Sequence, residues 1–510
     1  PAPTATSDVP TAVVQSDPPL VELDEHALRS MDWDSIMRDL GLDDDSALTS
    51  LKSGANINIH PQLITRCDPH QIQHSLNEFS PYIHHHHHHQ PLDSNSQFIN
   101  HSDFTFNVPD TYSNQNQNFG HVFDNMPSNN NNCNVGLDFI DELIRAADCF
   151  DSNELQLAQM ILARLNQRLR APVGKPLQRA AFFFKEALNS VLYGLTRPIR
   201  LSSWSEIVQS IKAYKVFSAI SPIPMFTHFT SNQAILESLD RDGTSSSPLI
   251  HIIDFDIGFG GQYASFMREI AEQAESCKMN PASLRITAVV PDEYASETRL
   301  IKDNLIHFAQ ELNIRFHIDF VLVRIFELFS FKAVKFVEGE KMAVVLSPAI
   351  FRRLGSTNNA VAFVSDIRLL TPSVVVFVDS EGWAETSPAA AAAGSFKRGF
   401  VGSLQHYSMM FESLDAAIGG GDWPRKIEMS LLRPRIAAAV EGAGRRVAPW
   451  REVFSGAGLR PVKLSQFADF QAEFLLGKLQ VGGFQVDRRQ AELVLCWHQW
   501  ILVATSAWRC

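Results

Sequence analysis

Two aspartates and a run of glycines form the part of the chain whose residue types and spacing could do chemistry. Asp254 and Asp256 are two positions apart, so in a regular strand their carboxylates share one face and could act as general acid and base. Gly258 and Gly260 follow, and a glycine loop after a strand can cradle a nucleotide. In the alternative interpretation, which we favour, one aspartate holds the glycine turn or caps the next helix.

The loop from Asp256 to Gly260 resembles the Asp-x-Gly-x-Gly loop of S-adenosylmethionine-dependent methyltransferases. It departs from the GxGxxG pattern, because Tyr263 replaces the third glycine and its ring would obstruct close helix–strand packing. Asp292 or Glu293 could accept hydrogen bonds from a ribose. No P-loop, HExxH or GxSxG motif occurs. We therefore predict no catalytic residue, no cofactor and no metal ligand, with a small-molecule methyltransferase as the alternative.

A strand and a helix position this loop. The apolar run 249–253 is too short for a helix and is typical of a strand buried on both faces of a parallel sheet. Apolar residues recur at helical spacing over 263–270, so a helix follows the glycines. Asp254 and Asp256 thus lie at the carboxyl edge, where open α/β sheets bind ligands. His251, inside the strand, is predicted to be a hydrogen-bonded core residue.

Strands and helices alternate along the rest of the chain. Further strands are predicted at 284–290, 316–323, 343–346 and 374–378, and helices at 297–312 and 396–414. This indicates an α/β fold with a Rossmann-like (methyltransferase-like) doubly wound parallel sheet. The runs 493–497 and 502–508 predict an antiparallel hairpin that finishes the sheet edge, with Trp508 closing the core. Five helices predict an N-terminal cap subdomain: from 137, at 155–169, from 176, at 203–219 and at 230–239.

Residues 1–136 differ from the remainder in charge and composition. They hold 17 acidic and 4 basic residues against 39 and 40 in 137–510, so the net charge of −12 arises in this tail. The tail is rich in Asn, Ser and Gln and poor in large apolar residues, which predicts a disordered regulatory segment. A solvated charge run or a partner-binding helix would explain an apolar stripe among its acidic residues: Trp33, Ile36, Met37 and Leu40.

Cysteine usage and hydropathy indicate the compartment. The six cysteines are scattered without a CxxC pair, which predicts a reducing environment and neither a disulfide framework nor a zinc site. No apolar run approaches about 18 residues and no signal-peptide pattern is present, so we expect a soluble intracellular protein.

The strand and glycine loop resemble the VHIID signature of the GRAS family of plant transcription regulators, and the fuller stretch resembles its hairy-meristem (scarecrow-like) branch. The matching residues are His251, Ile252, Ile253, Asp254, Asp256, Gly258, Gly260, Gly261 and Gln262. Ser506, Ala507 and Trp508 resemble the family's SAW region, and 372–415 resembles its PFYRE region without the literal motif. The two leucine-rich regions correspond to 137–240 and 306–330, so the resemblance to a GRAS domain covers 137–510.

This resemblance implies a nuclear transcriptional regulator that acts by binding proteins, with direct DNA binding as a second mode. It implies a role in shoot meristem maintenance, homeodomain or other GRAS proteins as partners, and a homo- or heterodimer. No contact with a membrane is expected. Loosely clustered arginines could contact DNA phosphates, with solvated surface as the alternative: Arg164, Arg168, Arg170, Arg433, Arg435, Arg445 and Arg446.

Overall fold

A computed structural model describes residues 138–195, 204–239, 249–292, 294–382, 395–417, 421–445 and 449–510. All of them belong to the unit Leu63–Cys510, one of two units into which the chain divides. The predicted disordered tail, with the stripe formed by Trp33, Ile36, Met37 and Leu40, lies outside the described residues. Among the described helices, none is long and apolar enough to cross a membrane.

Five helices precede the first strand, as predicted for the cap. They are α1 (Asp138–Asp151), α2 (Leu155–Arg168), α3 (Pro176–Leu192), α4 (Trp204–Ile220) and α5 (Pro222–Leu239). The predicted start of the fifth helix at 230 is wrong by about two turns. Pro222 and Pro224 lie in its first turn, where backbone N–H groups have no partner within the helix, so proline is tolerated there.

One nine-stranded sheet forms the centre of the fold. Its strands run in the order β3-β2-β1-β4-β5-β9-β8-β7, and β6 pairs with β9. The first five are parallel, which confirms the doubly wound Rossmann-like architecture, and β9 is antiparallel to β5. The strands are β1 (Leu249–Asp254), β2 (Ser283–Val290), β3 (Phe316–Leu322), β4 (Lys341–Leu346), β5 (Val374–Asp379), β6 (Arg460–Val462), β7 (Phe484–Arg489), β8 (Glu492–Trp497) and β9 (Trp500–Arg509).

Helices cover both faces of this sheet and form two apolar cores. Side chains alternate between the faces of a strand, so Ile252 packs in the larger core with the cap helices, whereas Ile253 packs in the second core. The helices are α6 (Gly261–Ser276), α7 (Ala295–Glu311), α8 (Val323–Phe329), α9 (Pro348–Leu354), α10 (Thr357–Leu369), α11 (Phe396–Ala417), α12 (Trp423–Ile427), α13 (Arg433–Gly442), α14 (Trp450–Gly456) and α15 (Gln466–Leu479).

The C-terminal strands follow the prediction in part. Strands β8 and β9 form the expected antiparallel hairpin. They do not finish the sheet, because β7 pairs with β8 beyond them and forms the edge. Strand β7 carries Asp487, Arg488 and Arg489 and is alternately exposed and half-buried. An edge strand with one solvated face lacks the continuous apolar run by which the inner strands were recognised.

Trp508 closes the second core, as predicted. It is 4% exposed although it stands near the chain end. Its ring meets Trp450 edge-on at a centroid distance of 5.8 Å and lies 5.1 Å from Phe454, both on α14. Its indole N–H donates to Ser506 Oγ at 3.0 Å. The last strand is therefore anchored to α14 by aromatic packing.

Candidate functional site

The glycine loop begins where β1 ends, at Asp254. Gly258 and Gly260 have φ angles of 55° and 77°, in the left-handed region that favours glycine. At Gly260 a Cβ would lie 3.0 Å from Ile301 on α7, so a side chain there would also be crowded. The two glycines turn the chain into α6, which starts at Gly261.

Asp254 holds this turn. Its Oδ1 accepts the backbone N–H of Asp256 at 2.7 Å, and its Oδ2 accepts the hydroxyl of Tyr263 at 2.5 Å. Burial raises the pKa of the Asp254 carboxyl to about 7, against the two hydrogen bonds, which lower it, and with a smaller contribution from the charge of Asp256. The structural role predicted for one aspartate is confirmed, because both oxygens of Asp254 serve the loop.

The two aspartates do not form a paired acid and base on one strand face. Strand β1 ends at Asp254, which is buried, whereas Asp256 lies beyond the strand and is exposed. Asp292 is also engaged, because its Oδ1 forms an ion pair with Nε of Arg324 at 3.0 Å. Glu293, the other predicted ribose acceptor, lies outside the described residues.

Aromatic side chains pack against the cap side of the glycine loop, whereas Gly258 at its tip is exposed and a Cβ there would meet no described atom within 4 Å. Tyr263 is fully buried between α6 and the sheet. On the cap side, the Tyr214 hydroxyl and His228 Nε2 are 2.6 Å apart, and the Tyr214 ring lies 5.9 Å from that of Phe259. Burial raises the pKa of Tyr214 to about 12 and lowers that of His228 to about 4.

His251 is a satisfied core residue, as predicted. Its Nδ1 lies 2.7 Å from a carboxylate oxygen of Glu340, and its Nε2 lies 2.8 Å from the hydroxyl of Thr287. Burial lowers the pKa of His251, and the bond to Glu340 opposes that shift. Both ring nitrogens are occupied, so the imidazole is not presented to a substrate.

The end of the motif joins the sheet to the cap. Gln262 donates to Ser231 Oγ at 3.1 Å, and Asn232 donates to Ser265 Oγ at 3.2 Å and to the Gln262 carbonyl at 3.4 Å. Ser231 and Asn232 are fully buried on α5. Gly261 belongs to the same contact, because a Cβ there would lie 3.3 Å from the Tyr214 ring. The signature therefore ties α6 to α4 and α5.

The C-terminal motif lies in β9. Ala507 is opposite Val376 of β5, and Ser506 accepts the indole N–H of Trp508. Ser506 also donates to the carbonyl of Phe377 at 3.4 Å. These residues stabilise the junction of β9 and β5, and none of them faces the glycine loop in the sheet register.

The predicted phosphate-contacting arginines do not form one cluster with free charges. One group lies on or just after α2, and the other lies on or just after α13. Several of these arginines have acidic partners. Arg168 pairs with Glu142 and Arg433 with Glu186, each at 3.2 Å, and Arg445 pairs with Glu441 at 3.5 Å. Arg170 donates to a backbone carbonyl, Arg164 and Arg435 are exposed, and Arg446 lies outside the described residues.

The sequence analysis did not predict a cluster of buried polar side chains at the carboxyl ends of β4 and β5. Arg352 of α9 forms an ion pair with Glu381, and both side chains are largely buried. Tyr407 of α11 is fully buried, and its hydroxyl has no hydrogen-bond partner within the described ranges. Burial raises the pKa of Tyr407 and lowers that of Arg352. These residues are far apart in sequence, so no local spacing could have indicated them. In the described part of the chain, no group of three His, Cys, Asp or Glu residues could hold a metal ion.

A model of the GRAS domain family matches residues 139–509. The chain belongs to the GRAS domain family. Scarecrow-like protein 15 of Arabidopsis thaliana is 54% identical over 495 residues, 96% of this chain and 95% of that protein. Scarecrow-like protein 6 of the same plant is 38% identical over 376 residues, 72% of this chain and 62% of that protein.

A solved GRAS structure has the same fold. The crystal structure of SCL7 in Oryza sativa matches 73% of this chain and 99% of its own, with 26% identity and a TM-score of 0.54. The GRAS family comprises plant regulatory proteins such as the Scarecrow-like proteins. The membership expected from the VHIID and SAW regions is thereby confirmed.

Proposed function

We propose that this chain is a nuclear transcriptional regulator that acts by binding other proteins and has no enzymatic activity. The observation that carries the proposal is the 54% identity to Scarecrow-like protein 15 along nearly the whole length of both chains. Identity at this level over this length favours a shared mode of action within a family of plant regulatory proteins.

The geometry of the glycine loop supports a binding role over catalysis. Asp254 uses both carboxylate oxygens on the loop itself, and Tyr263 fills the space that a third glycine would leave open. The loop thus serves to hold the cap on the sheet. A small-molecule methyltransferase is the second candidate, and the observation that favours it is the buried hydroxyl of Tyr407 at the carboxyl edge, which has no partner among the described residues.

The resemblance to the hairy-meristem branch of the GRAS family suggests a biological role and partners for this chain. We assign the chain to the hairy-meristem branch, with a role in shoot meristem maintenance and development. Its partners are homeodomain proteins or other GRAS proteins, it works as a homo- or heterodimer, and its acidic tail of residues 1–136 binds further partners. Direct DNA binding is a second mode, for which Arg164 and Arg435 are the best placed arginines, because each is exposed and makes no ion pair within the described ranges.

A tethering experiment in plant cells tests the proposal. The full chain, fused to a fluorescent protein and to a heterologous DNA-binding domain, should accumulate in the nucleus and change the expression of a reporter that carries the matching DNA site. Exclusion from the nucleus, or an unchanged reporter despite nuclear protein, would contradict it. A gel-shift comparison of the untethered wild type with Arg164→Ala/Arg435→Ala isolates direct DNA binding, which the variant should weaken.

A further inference from the structure

The segment that joins β3 to β4 exposes an unusual number of large apolar side chains. Of the sixteen large apolar residues exposed in the described ranges, five lie between positions 325 and 337. Three of the five lie on one helix, and we call these the α8 patch: Ile325 (39% exposed), Leu328 (77%) and Phe329 (56%). Single exposed apolar residues are ordinary, but a concentration of this kind marks an interaction site.

The patch stands on a firmly packed element. The opposite face of α8 and the turn after it bury Val323, Phe326, Phe331 and Val334 in the second core. The ring of Phe326 meets that of Phe255 edge-on at 5.1 Å. Ile325, Leu328 and Phe329 follow the spacing i, i+3, i+4 and therefore share the solvent face of α8. The exposed stripe is thus held in a fixed orientation before any partner arrives.

The unpaired charge beside the patch is positive. Lys332 and Lys335 are exposed and have no ion pair with a described residue. The nearby acid Glu327 is already paired with Arg353 at 3.0 Å. Glu338 is exposed and opposes the lysines in part, so a net positive charge remains. A partner that approaches this surface gains from negative charge next to its apolar residues.

We propose that the α8 patch binds an amphipathic helix with acidic flanks, contributed by a partner protein. The apolar area is on the order of a few hundred Å². That area suits one helix laid against a stripe, and it falls short of the roughly 800 Å² per partner of a standard stable interface, which argues against a second copy of this chain. The proposal rests on the proposed function, because it names the kind of partner through which the regulator works.

Designed peptides test the proposal with the full chain. The probe is a fluorescent peptide about 18 residues long, with Leu at i, i+3, i+4 and i+7 and Glu at most other positions. A second peptide replaces each Glu by Lys. Anisotropy titration should show that wild-type protein binds the acidic peptide about tenfold more tightly than the basic one.

Two variants and two matched controls locate the binding site. Leu328→Ser and Lys332→Glu/Lys335→Glu should each weaken binding of the acidic peptide about tenfold. The first control, Leu369→Ser, replaces a leucine that is 80% exposed on α10. The second, Lys302→Glu/Lys478→Glu, reverses the charge of two exposed lysines outside the patch. Both controls should bind as wild type, and thermal unfolding of all four variants confirms that they are folded.

The contrary results are distinct. No binding of the acidic peptide, equal binding of both peptides, or equal loss in the controls would overturn the proposal. A dimer in sedimentation that Leu328→Ser dissociates would show that the patch is occupied by a second copy, which also overturns it. If the tethered reporter is inactive but the peptide still binds, only the proposed function is contradicted. If the reporter is active but the peptide does not bind, only the proposal for the α8 patch is contradicted.

Discussion

At the scale of single residues, Asp254 shows what the signature motif does. The sequence predicted that one aspartate would hold the glycine turn, and the bonds to the Asp256 N–H and the Tyr263 hydroxyl confirm it. The sequence gives no sign that the Tyr263 hydroxyl is the partner, because that bond depends on how α6 packs on the end of β1. Which of two nearby carboxylates is buried depends on where the strand ends, and element boundaries are the least certain part of a sequence-based prediction.

The raised pKa of Asp254 gives a prediction for stability against pH. Its pKa rises from 3.8 to about 7 on folding, so the folded state keeps a proton that the unfolded state has lost. The resulting stabilisation is complete below about pH 4 and is lost as the pH rises through 7. Asp254→Asn cannot titrate, so between pH 4 and 8 the free energy of unfolding of wild type should fall relative to the variant by roughly 2–4 kcal/mol.

Comparison with the variant is necessary because other buried groups titrate in the opposite sense. Burial lowers the pKa of His228 and of His406 to about 4, so their contribution to stability is lost as the pH falls from 6.5 through 4. Denaturant unfolding at several pH values, wild type against Asp254→Asn, cancels these shared terms. A difference that is constant from pH 4 to 8 would show that Asp254 is ionised throughout.

At the scale of elements, the burial of a strand decides whether the sequence predicts it. The five parallel strands carry apolar runs because both faces are covered, and every predicted boundary lies within two residues of the observed one. Strands β6 and β7 were missed, because the first has three residues and the second alternates between water and half-burial at the sheet edge. The pairing of β9 with β5 depends on distant residues and left no local signal.

Trp508 provides the test of the last strand. Trp508→Ala removes a ring that packs between Trp450 and Phe454, so we expect a loss of about 3–5 kcal/mol and a fall in melting temperature of roughly 5–10 °C. Trp508→Phe keeps most of the packing but loses the hydrogen bond to Ser506, so its melting temperature should fall far less than that of the alanine variant. An unchanged melting temperature for the alanine variant would show that the ring does not close the core.

At the scale of the whole molecule, the change of composition near residue 137 coincides with the start of the family match at 139. Phe139 and Ile140 of α1 are already buried, so protection should begin there. Limited proteolysis of the full chain should therefore leave a stable fragment that begins within about ten residues of Leu137. Trypsin is unsuitable, because no Lys or Arg lies between Arg66 and Arg145, so a protease of broad specificity is required. A protected fragment that includes Trp33 would refute this boundary.

Asp254 and Tyr263 tie the glycine loop to the sheet, and we propose that the loop has this structural role and holds no cofactor. Titration of the full chain with S-adenosylmethionine in a calorimeter tests this most directly, with an active methyltransferase as the positive control. Because both oxygens of Asp254 are already bonded and Tyr263 stands where a nucleotide loop has its third glycine, no binding is expected at near-millimolar ligand. A dissociation constant of about 1 µM, equivalent to roughly −8 kcal/mol, would contradict the claim and identify a cofactor site.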